Sequence, residues 1–454
     1  MTDRPNILVI MTDQQNAEAM SCAGNLYLHT PHQDRLAAEG VRFTRAYVAF
    51  PLCGPSRAAM ATGRWPHEIG CMKNGSSLSP EAIARSTGPL MRAAGYRTAW
   101  AGKWHVPNID MGVDAESFGF ESVCGFSDTY LARACERFLR EDHRAPFVLF
   151  ASFDNPHNIC EHGRDQVLPW GEVEGPDDLP SGYPNLPANH ARPAFEARIL
   201  DHLRQSMPPM QYGFSEERWR RFRHVYFRLC EKVDREIGHL LDVLDDTGLA
   251  ENTIVIMLAD HGEHNGAHKL IQKSTSYEEA CRVPFVVRLP EHLDRPAGRS
   301  EPSFINTGLD LLPSLLDYAG AAIPEELTGR PVGPAVRGEA VAREAVFLES
   351  MMDRTDVQLR MVRTERFKYT VYDRGQYREM LFDMETDPGE LINLAVEGRF
   401  ADVLDDHRRL LFDWCQITGD LFGTHYSHRP HAVLPGAGYD HAPPRAGVPV
   451  SDQA

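Results

Sequence analysis

The sequence predicts an α/β protein in which a large, mostly parallel sheet is sandwiched by helices and is followed by a smaller antiparallel sheet with one helix. Short continuous apolar runs alternate with segments of helical periodicity up to about residue 345, which is typical of parallel strands buried on both faces. Past that point, short strand-like runs follow one another with only turns between them, as in an antiparallel sheet. We therefore expect two units, residues 1–345 and residues 346–454.

Five apolar runs of the first unit are predicted to be strands: residues 6–11, 98–101, 147–153, 253–259 and 283–288. Three segments with apolar residues at helical spacing are predicted to be helices: residues 81–94, 216–246 and 309–319. A glycine follows each helix within two residues, and glycine readily adopts the left-handed conformation that ends a helix. This alternation of strand and helix favours parallel pairing with helices on both faces of the sheet.

In the second unit, strands are predicted at residues 346–349, 358–363, 367–372 and 379–383, and a helix at residues 400–416. Residues 160–215 are rich in Pro, Gly and Asn and match no regular element. Because a loop of that length is unusual in a compact domain, we interpret it as a functional lid or excursion. The tail from Ser427 is rich in Pro, Gly and His and is predicted to be irregular.

The composition excludes several classes of protein. The 454 residues include 47 Lys and Arg against 64 Asp and Glu, a formal charge of −17, and an acidic chain without a basic stripe disfavours nucleic acid. A hydrophobic fraction of 42% supplies a core, which excludes disorder. No apolar run approaches the roughly 18 residues that span a bilayer, and residues 6–11 are shorter than a signal-peptide core. We therefore expect a cytoplasmic protein with no membrane or nucleic-acid partner.

The nine cysteines include no C-x-x-C pair, so neither a disulfide framework nor a zinc knuckle is expected. Most of them are predicted to be small buried hydrophobes, and Cys53 is the exception. The sequence leaves the oligomeric state open, with a homo-oligomer among the alternatives.

Polar residues follow two of the predicted strands directly. Asp13 and Gln14 come after the first strand, and Asp260 and His261 come after the strand at residues 253–259. Ligands bind beyond the carboxyl ends of parallel strands, and carboxylate, amide and imidazole groups suit Ca²⁺, Mg²⁺ or Mn²⁺. Taken alone, each pair is better explained as a polar strand end that begins a turn, because Asp is common at strand ends.

A third segment, residues 51–64, has the features of an anion site. Pro55 suits the start of a helix, whose free amides favour an anion. Cys53 precedes it and Arg57 lies one turn onward, a setting that lowers the pKa of a thiol. The alternative is a capped helix with a buried thiol and a solvated arginine.

The Cys53–Arg57 run resembles the C-x-P-S-R signature of the sulfatase family, within the alkaline phosphatase superfamily. Further segments are similar to that family in the same order along nearly the whole chain: residues 5–15, Thr30-Pro31-His32, residues 36–43, Gly102-Lys103-Trp104-His105, Asp260-His261-Gly262-Glu263, Lys273 with Tyr277-Glu278-Glu279, residues 362–369 and Asp387-Pro388-Gly389-Glu390. The resemblance implies the alkaline phosphatase-like fold for the large unit, which would be the catalytic one.

The resemblance also implies a nucleophile and a metal. In the family, the motif cysteine is oxidised after translation to formylglycine, so a formylglycine-generating enzyme would be a partner during maturation of Cys53. The hydrated aldehyde attacks sulfur, expels the alcohol and then releases sulfate, which splits one hard step into two. The implied ligands of one divalent cation are Asp13, Gln14, Cys53, Asp260 and His261. Ca²⁺ is the first expectation, with Mg²⁺ or Mn²⁺ as alternatives.

The remaining roles are likewise implied residue by residue. Arg57 would hold the nucleophile, and Lys103 and Lys273 would neutralise the sulfate oxygens. His105 would contact the nucleophile and assist release of sulfate. His157 would protonate the leaving oxygen. The implied catalytic set is Cys53, Arg57, Lys103, His105, His157 and Lys273, and the implied substrate contacts are Asn74, Lys103, His157 and Lys273.

Three functions follow from these observations. The first is hydrolysis of a small anionic sulfate monoester, an aryl, alkyl or sugar sulfate. The second is hydrolysis of a phosphonate monoester or phosphodiester at the same site. It stays open because Gln14 stands where many sulfatases have a second Asp and His261 where many have Asn, a pattern similar to phosphonate monoester hydrolases. The third is an inactive anion-binding protein, which would show neither conversion of Cys53 nor turnover.

Overall fold

A computed structural model describes residues 4–106, 115–173, 182–206, 213–294, 296–339, 343–352 and 355–426. The strands among these residues are β1 (Asn6–Asp13), β2 (Val41–Tyr47), β3 (Arg97–Gly102), β4 (Glu121–Cys124), β5 (Phe147–Pro156), β6 (Thr253–Ala259), β7 (Phe285–Arg288), β8 (Arg299–Asn306), β9 (Ala345–Met351), β10 (Gln358–Thr364), β11 (Phe367–Tyr372) and β12 (Glu379–Asp383). Eight of them form one sheet in the order β4-β3-β5-β1-β6-β7-β2-β8. Only β7 runs antiparallel to its neighbours, β6 and β2, so the predicted large, mostly parallel sheet is confirmed.

The helices of the described residues are α1 (Pro31–Glu39), α2 (Cys53–Thr62), α3 (Pro80–Ala84), α4 (Thr87–Ala93), α5 (Asp128–Leu139), α6 (Ile159–Gly163), α7 (Ile199–Ser206), α8 (Glu216–Asp246), α9 (Glu278–Cys281), α10 (Thr307–Tyr318), α11 (Gly333–Val336), α12 (Ala401–Thr418) and α13 (Phe422–His425). The predicted helix at residues 216–246 has the bounds of α8, and those at 309–319 and 400–416 agree with α10 and α12 to within two residues.

Two predictions about helices were wrong. The predicted helix at residues 81–94 is two helices, α3 and α4, with extended backbone at Ser86 between them. Pro89 provides a reason, because proline is tolerated in the first turn of a helix and not in the interior of a longer one. The segment 160–215, predicted to have no element, contains most of α6 and all of α7. The tail from Ser427 lies outside the described residues.

Strand β1 is buried on both faces of the large sheet. Ile7, Val9 and Met11 pack into one core cluster, and Leu8 and Ile10 pack into another, because successive side chains of a strand point to opposite faces. The C-terminal half of the 31-residue helix α8, from Val233 to Leu244, contributes its buried apolar residues to the second cluster. This double burial explains the unbroken apolar run at the start of the chain.

The smaller sheet contains β12, β11, β10 and β9 in that order, with every neighbouring pair antiparallel. Helix α12 contributes Leu404, Leu411 and Trp414 to a core cluster shared with this sheet. The predicted antiparallel sheet with one packed helix is therefore confirmed, while the division at residue 345 stays a prediction. No helix in the described part of the chain is both long and apolar enough to cross a membrane, and cytoplasmic placement stays a prediction.

Candidate active site

Three adjacent parallel strands end in aspartates at one edge of the large sheet. Strand β1 ends at Asp13, its neighbour β5 carries Asp154 near its end, and its other neighbour β6 is followed by Asp260. All three side chains are almost fully buried. Burying carboxylates is costly unless cations and hydrogen bonds compensate them, so this edge of the sheet must hold positive partners.

Cys53 lies against this row of carboxylates, at the first residue of α2. Its Sγ is 3.0 Å from Nε2 of His261 and 3.9 Å from Oδ1 of Asp13. The helix is held in place by the Ser56 hydroxyl, which donates to the carbonyl of Asp260 at 2.5 Å. Cys53 is 40 residues from Asp13 and 208 residues from His261 along the chain. The sheet brings these distant segments next to one another. The structure therefore brings the predicted nucleophile and the two predicted metal-binding segments together.

Arg57 joins two of these aspartates, Asp13 and Asp260, from one turn further along α2. Its Nη2 donates to Asp13 at 3.0 Å and its Nε to Asp260 at 2.7 Å. Its Nη1 donates to the carbonyl of Lys103 and to the Ser152 hydroxyl, both at 2.9 Å. The side chain is 1% exposed, so the alternative of a solvated arginine is wrong.

Four side chains present ligand atoms that suit a metal ion. One atom each from Asp13, Cys53, Asp260 and His261 lie within 4.8 Å of one another, and all four residues are buried. His261 Nε2 is 3.7 Å from Oδ1 of both aspartates, while His261 Nδ1 lies 3.0 Å from the carbonyl of Gly262. A hydrogen bond at Nδ1 leaves Nε2 as the ligating nitrogen. Two carboxylates and an imidazole facing one point are a donor set that fits a divalent cation.

Gln14 lies beside that group with its side chain directed to other partners. Its backbone has a positive φ of 71°, and its N–H donates to Oδ1 of Asp260 at 3.1 Å. Its Nε2 donates to Glu263 at 2.5 Å, and its Oε1 accepts a hydrogen bond from Lys273 Nζ. Gln14 is thus within reach of the proposed metal ligands, and its amide also links two further charged groups.

Two buried lysines lie on either side of the Cys53 region. Lys103 Nζ is 2.8 Å from Asp13 and 2.9 Å from Asp154, and Lys273 is bound to Gln14. Burial and Asp13 raise the pKa of the Cys53 thiol, but Lys273, His261 and Lys103 outweigh them, so that pKa lies well below its ordinary value. The site therefore favours an anion at position 53.

Gly102 allows Lys103 to reach this position. Its φ is 86°, and a Cβ placed on it would lie 2.3 Å from the carbonyl oxygen of Ser152 and 2.3 Å from Cδ1 of Leu131. Only glycine fits that close approach. The backbone of β3 can therefore turn against β5 and direct the next residue, Lys103, into the site.

The other predicted residues lie near the site with fewer direct contacts. Asn74 Oδ1 accepts the N–H of Gly54 at 2.9 Å, next to Cys53. The His157 side chain is 21% exposed, and its Nδ1 is 3.8 Å from Asp154. His105 lies two residues after Lys103, and its buried Nδ1 has no hydrogen-bond partner among the described residues. No hydrogen bond among the described residues joins His105 to Cys53, so the role of His105 stays a prediction.

Two charged residues of the site were missed as functional candidates. Asp154 binds Lys103, and Glu263 accepts hydrogen bonds from Gln14 and from the N–H groups of Asn265 and Gln272. Burial raises the pKa of Glu263 to about 7 despite those donors. The signal that identified Asp13, a polar residue at the end of an apolar strand, was also present for Asp154.

Comparisons with known proteins identify the family of the chain. The sequence profile of the Sulfatase family matches residues 5–321, and that of the C-terminal region of N-sulphoglucosamine sulphohydrolase matches residues 266–414. The Delta 4,5-hexuronate-2-O-sulfatase of Bacteroides thetaiotaomicron is 30% identical over 443 residues, which cover 92% of this chain and 90% of the relative.

Two solved structures share the fold. A 2-O GAG sulfatase superposes with a TM-score of 0.81 at 28% identity. The match covers 96% of this chain and 99% of the sulfatase chain. The phosphonate monoester hydrolase of Agrobacterium radiobacter superposes with a TM-score of 0.76 at 22% identity, covering 94% and 100% of the two chains. The chain therefore belongs to the sulfatase family, within the alkaline phosphatase superfamily.

Proposed function

We propose that this sulfatase hydrolyses a sulfate monoester at residue 53. The observation that carries the proposal is the position of Cys53, which is buried against Asp13 and His261 and lies in the field of two lysines. A negatively charged sulfate group would meet Lys103 and Lys273 there. These fixed, buried charges stabilise developing negative charge far better than solvated ones do. The net charge of −17 does not oppose this, because binding depends on the local field.

We propose further that Cys53 is converted to formylglycine before turnover. The hydrated aldehyde supplies a hydroxyl nucleophile and a second hydroxyl that allows the enzyme to be regenerated. The protein around residue 53 is suited to orient such a group: Asn74 binds the N–H of Gly54, and His261 Nε2 is 3.0 Å from the side-chain atom of residue 53.

A divalent cation fits the same site. Asp13, Asp260 and His261 would hold it together with residue 53. Gln14 is the fifth proposed ligand, and its Oε1, which accepts a hydrogen bond from Lys273, would have to turn towards the cation. Ca²⁺ is the first choice and Mg²⁺ or Mn²⁺ the alternatives, because the donors are mainly oxygen. When bound, the cation would polarise a sulfate oxygen and lower the pKa of the attacking hydroxyl.

The remaining residues bind and orient. Arg57 fixes Asp13 and Asp260 relative to each other, which holds the ligand oxygens in place. Lys103 and Lys273 bind sulfate oxygens as charge develops on them. His157, partly exposed at the rim, donates a proton to the oxygen of the departing alcohol. We expect the substrate to enter from the side of His157 and Asn74, both of which reach solvent.

The alcohol part of the substrate is expected to be a ring. Phe126 and Trp170 form an edge-to-face pair with centroids 5.3 Å apart, and both are partly exposed. The ring of Phe126 lies 5.9 Å from Lys103 Nζ, so this pair borders the proposed sulfate position. Aromatic faces pack well against the apolar face of a sugar or against an aryl ring. The sugar sulfatase among the relatives supports a sugar sulfate.

A comparison of substrates tests the proposed reaction. The ratio kcat/KM is measured for a sulfate monoester, a phosphodiester and a phosphonate monoester with the same nitrophenyl leaving group. The proposal predicts the highest value for the sulfate ester. A clear preference for either phosphorus substrate would favour the second candidate, which Gln14 and His261 keep open. No turnover of any substrate, together with an unmodified Cys53, would favour the inactive anion-binding protein.

A further inference from the structure

We propose that Asp154, which no sequence motif identified, is a positioning residue that fixes the proton donor His157 and the sulfate-binding Lys103 relative to each other. The inference rests on the proposed sulfate-ester hydrolysis. Asp154 lies near the end of β5, and its side chain is almost fully buried. Its carboxylate is within 4 Å of both Lys103 and His157. Its carboxylate contacts four polar side chains in all, which is why its loss would change more than one contact.

The two oxygens of Asp154 are used differently. Oδ2 accepts hydrogen bonds from Asn158 at 2.7 Å and from the indole N–H of Trp170 at 2.8 Å. Oδ1 binds Lys103 Nζ at 2.9 Å and faces His157 Nδ1 at 3.8 Å. The first pair of contacts fixes the plane of the carboxylate, so Oδ1 is held between the lysine and the histidine.

The backbone beneath Asp154 is also fixed. The N–H of Asp154 donates to Oδ1 of Asp128 at 2.7 Å, and the N–H and side-chain amide of Asn155 both donate to Oδ2 of Asp128 at 2.8 Å. The carbonyl of Asp154 accepts the N–H of His157 at 2.9 Å. Both the main chain and the side chain of Asp154 therefore constrain where His157 can lie.

This arrangement specifies how His157 can act. A carboxylate facing Nδ1 favours a proton on that nitrogen and orients the ring, which leaves Nε2 to face the substrate. As residue 53 forms its bond to sulfur, the S–O bond to the alcohol breaks. The electron pair of the broken bond stays on the alcohol oxygen, which takes the proton from Nε2. His157 then becomes neutral and keeps its proton on Nδ1, while Asp154 stays ionised throughout. The 3.8 Å distance is expected to shorten when substrate binds, as catalytic hydrogen bonds often do.

Leaving-group dependence distinguishes this role from a merely structural one. An alkyl or sugar alcohol needs a proton to depart, whereas nitrophenolate does not. We expect Asp154→Asn to lower kcat by about 100-fold or more on an alkyl sulfate, and by less than about 10-fold on 4-nitrophenyl sulfate. Lys103 keeps Asp13 as a partner at 2.8 Å, so the loss on the aryl substrate stays small. Asp154→Glu keeps the charge but displaces the carboxylate, and it should show the same selective loss.

The matched control is Asp165→Asn. Asp165 is 74% exposed and pairs with Arg218 at 2.8 Å, so the same substitution there should leave both kcat values unchanged. Equal losses on the two substrates in Asp154→Asn and Asp154→Glu, or no loss in a folded variant, would overturn the inference. If Asp154→Asn does not fold, Asp154→Glu decides between these outcomes. Failure of the wild-type protein to hydrolyse either sulfate ester would instead refute the proposed function.

Discussion

Arg57 and Arg360 are both 1% exposed, and each lies between two carboxylates, yet their surroundings differ. Arg57 binds Asp13 and Asp260 at the end of the large sheet. Arg360, on β10 of the small sheet, binds Asp420 through Nε at 2.5 Å and Nη2 at 3.1 Å, and its Nη2 is 3.6 Å from Glu349. The same residue types thus make two buried charge clusters in one molecule.

The cluster around Arg360 is satisfied by residues of the protein itself. Glu349 accepts the backbone N–H of His67 at 2.9 Å and lies 2.8 Å from its Nδ1. The ligand atoms of His67, Glu349 and Asp420 lie within 4.8 Å of one another, as in a metal site. All four carboxylate oxygens of Glu349 and Asp420 already bind an N–H group of His67 or Arg360. This cluster therefore needs no cation and is expected to be structural.

The cluster around Arg57 keeps donor atoms for something else. Among the described residues, Oδ1 of Asp13 faces only Nε2 of His261 at 3.7 Å and Sγ of Cys53 at 3.9 Å, so this oxygen has no close hydrogen-bond donor. Buried charge alone therefore does not distinguish the two clusters. We propose that a ligand oxygen without a close donor, next to the proposed nucleophile Cys53, does.

Removal of the nucleophile should produce the largest effect. We expect Cys53→Ala to lower kcat by about 10⁴-fold or more, because nucleophile knockouts leave only binding and electrostatic stabilisation. The melting temperature should change little, since a single Sγ is lost. Cys22→Ser, at a half-buried cysteine away from the site, serves as the control and should keep full activity. Substantial turnover by Cys53→Ala would contradict nucleophilic catalysis at residue 53.

The two arginines give the next largest effects, in different observables. Arg57→Met should lower kcat/KM by about 10²–10³-fold, because Asp13 and Asp260, the proposed ligand carboxylates, lose their common partner. Arg360→Met should leave kcat of the folded protein unchanged and lower the free energy of unfolding by about 3–5 kcal/mol, the usual cost of breaking a buried pair. Urea unfolding and steady-state kinetics of both variants check this. An Arg360→Met protein that is stable but inactive would contradict the distinction.

A divalent cation should stabilise only the first cluster. Ca²⁺ added to EDTA-treated protein at about 100 times its Kd should raise the free energy of unfolding by about 2.7 kcal/mol and restore activity. Asp260→Asn should remove this gain, and Glu349→Gln should keep it. Calcium titrations followed by thermal melting provide the measurement. A gain that survives in Asp260→Asn but not in Glu349→Gln would exchange the roles of the two clusters.

The smallest effect concerns the pH dependence of stability. Burial lowers the pKa of His67, but the hydrogen bond and charge of Glu349 outweigh it and raise that pKa to about 9. Because the folded pKa exceeds the unfolded value of about 6.5, the protonated pair contributes fully below pH 6.5. The contribution, about 1–3 kcal/mol, is lost as pH rises towards 9.

Urea unfolding of the wild-type protein and of His67→Gln at pH 6, 8 and 10 tests this dependence. The advantage of the wild type should shrink over that range. A difference in the free energy of unfolding that stays constant from pH 6 to pH 10 would show that His67 is neutral in the folded protein.

Most of the fold could be predicted from the sequence because its central strands are buried on both faces. The apolar runs that form β1, β5 and β6 are continuous. Each could therefore be predicted to be a strand from its own residues, without knowing which strands it pairs with. Strands β2, β4 and β8 were not predicted, because edge and half-exposed positions carry charged residues such as Arg42, Glu121 and Glu301.

The site was predictable where a motif or a strand end marked a residue. Cys53, Asp13 and Asp260 are marked in this way, and the structure brings them together. Asp154 also follows an apolar strand but was overlooked, and Glu263 was missed because its importance lies in what it contacts. Lys103 reaches Asp154 across 51 residues of chain, and Gln14 reaches Glu263 across 249. Only the three-dimensional structure shows such contacts.

The proposed conversion of Cys53 to formylglycine is tested most directly by determining the chemical state of residue 53. Protein from a host with a formylglycine-generating enzyme is digested with trypsin, and the peptide of residues 46–57 is compared with the peptide of residues 274–282, which contains Cys281. We expect the first peptide to carry an aldehyde oxygen in place of sulfur, while Cys281 remains a thiol. A fully active enzyme in which residue 53 is still a thiol would contradict the account.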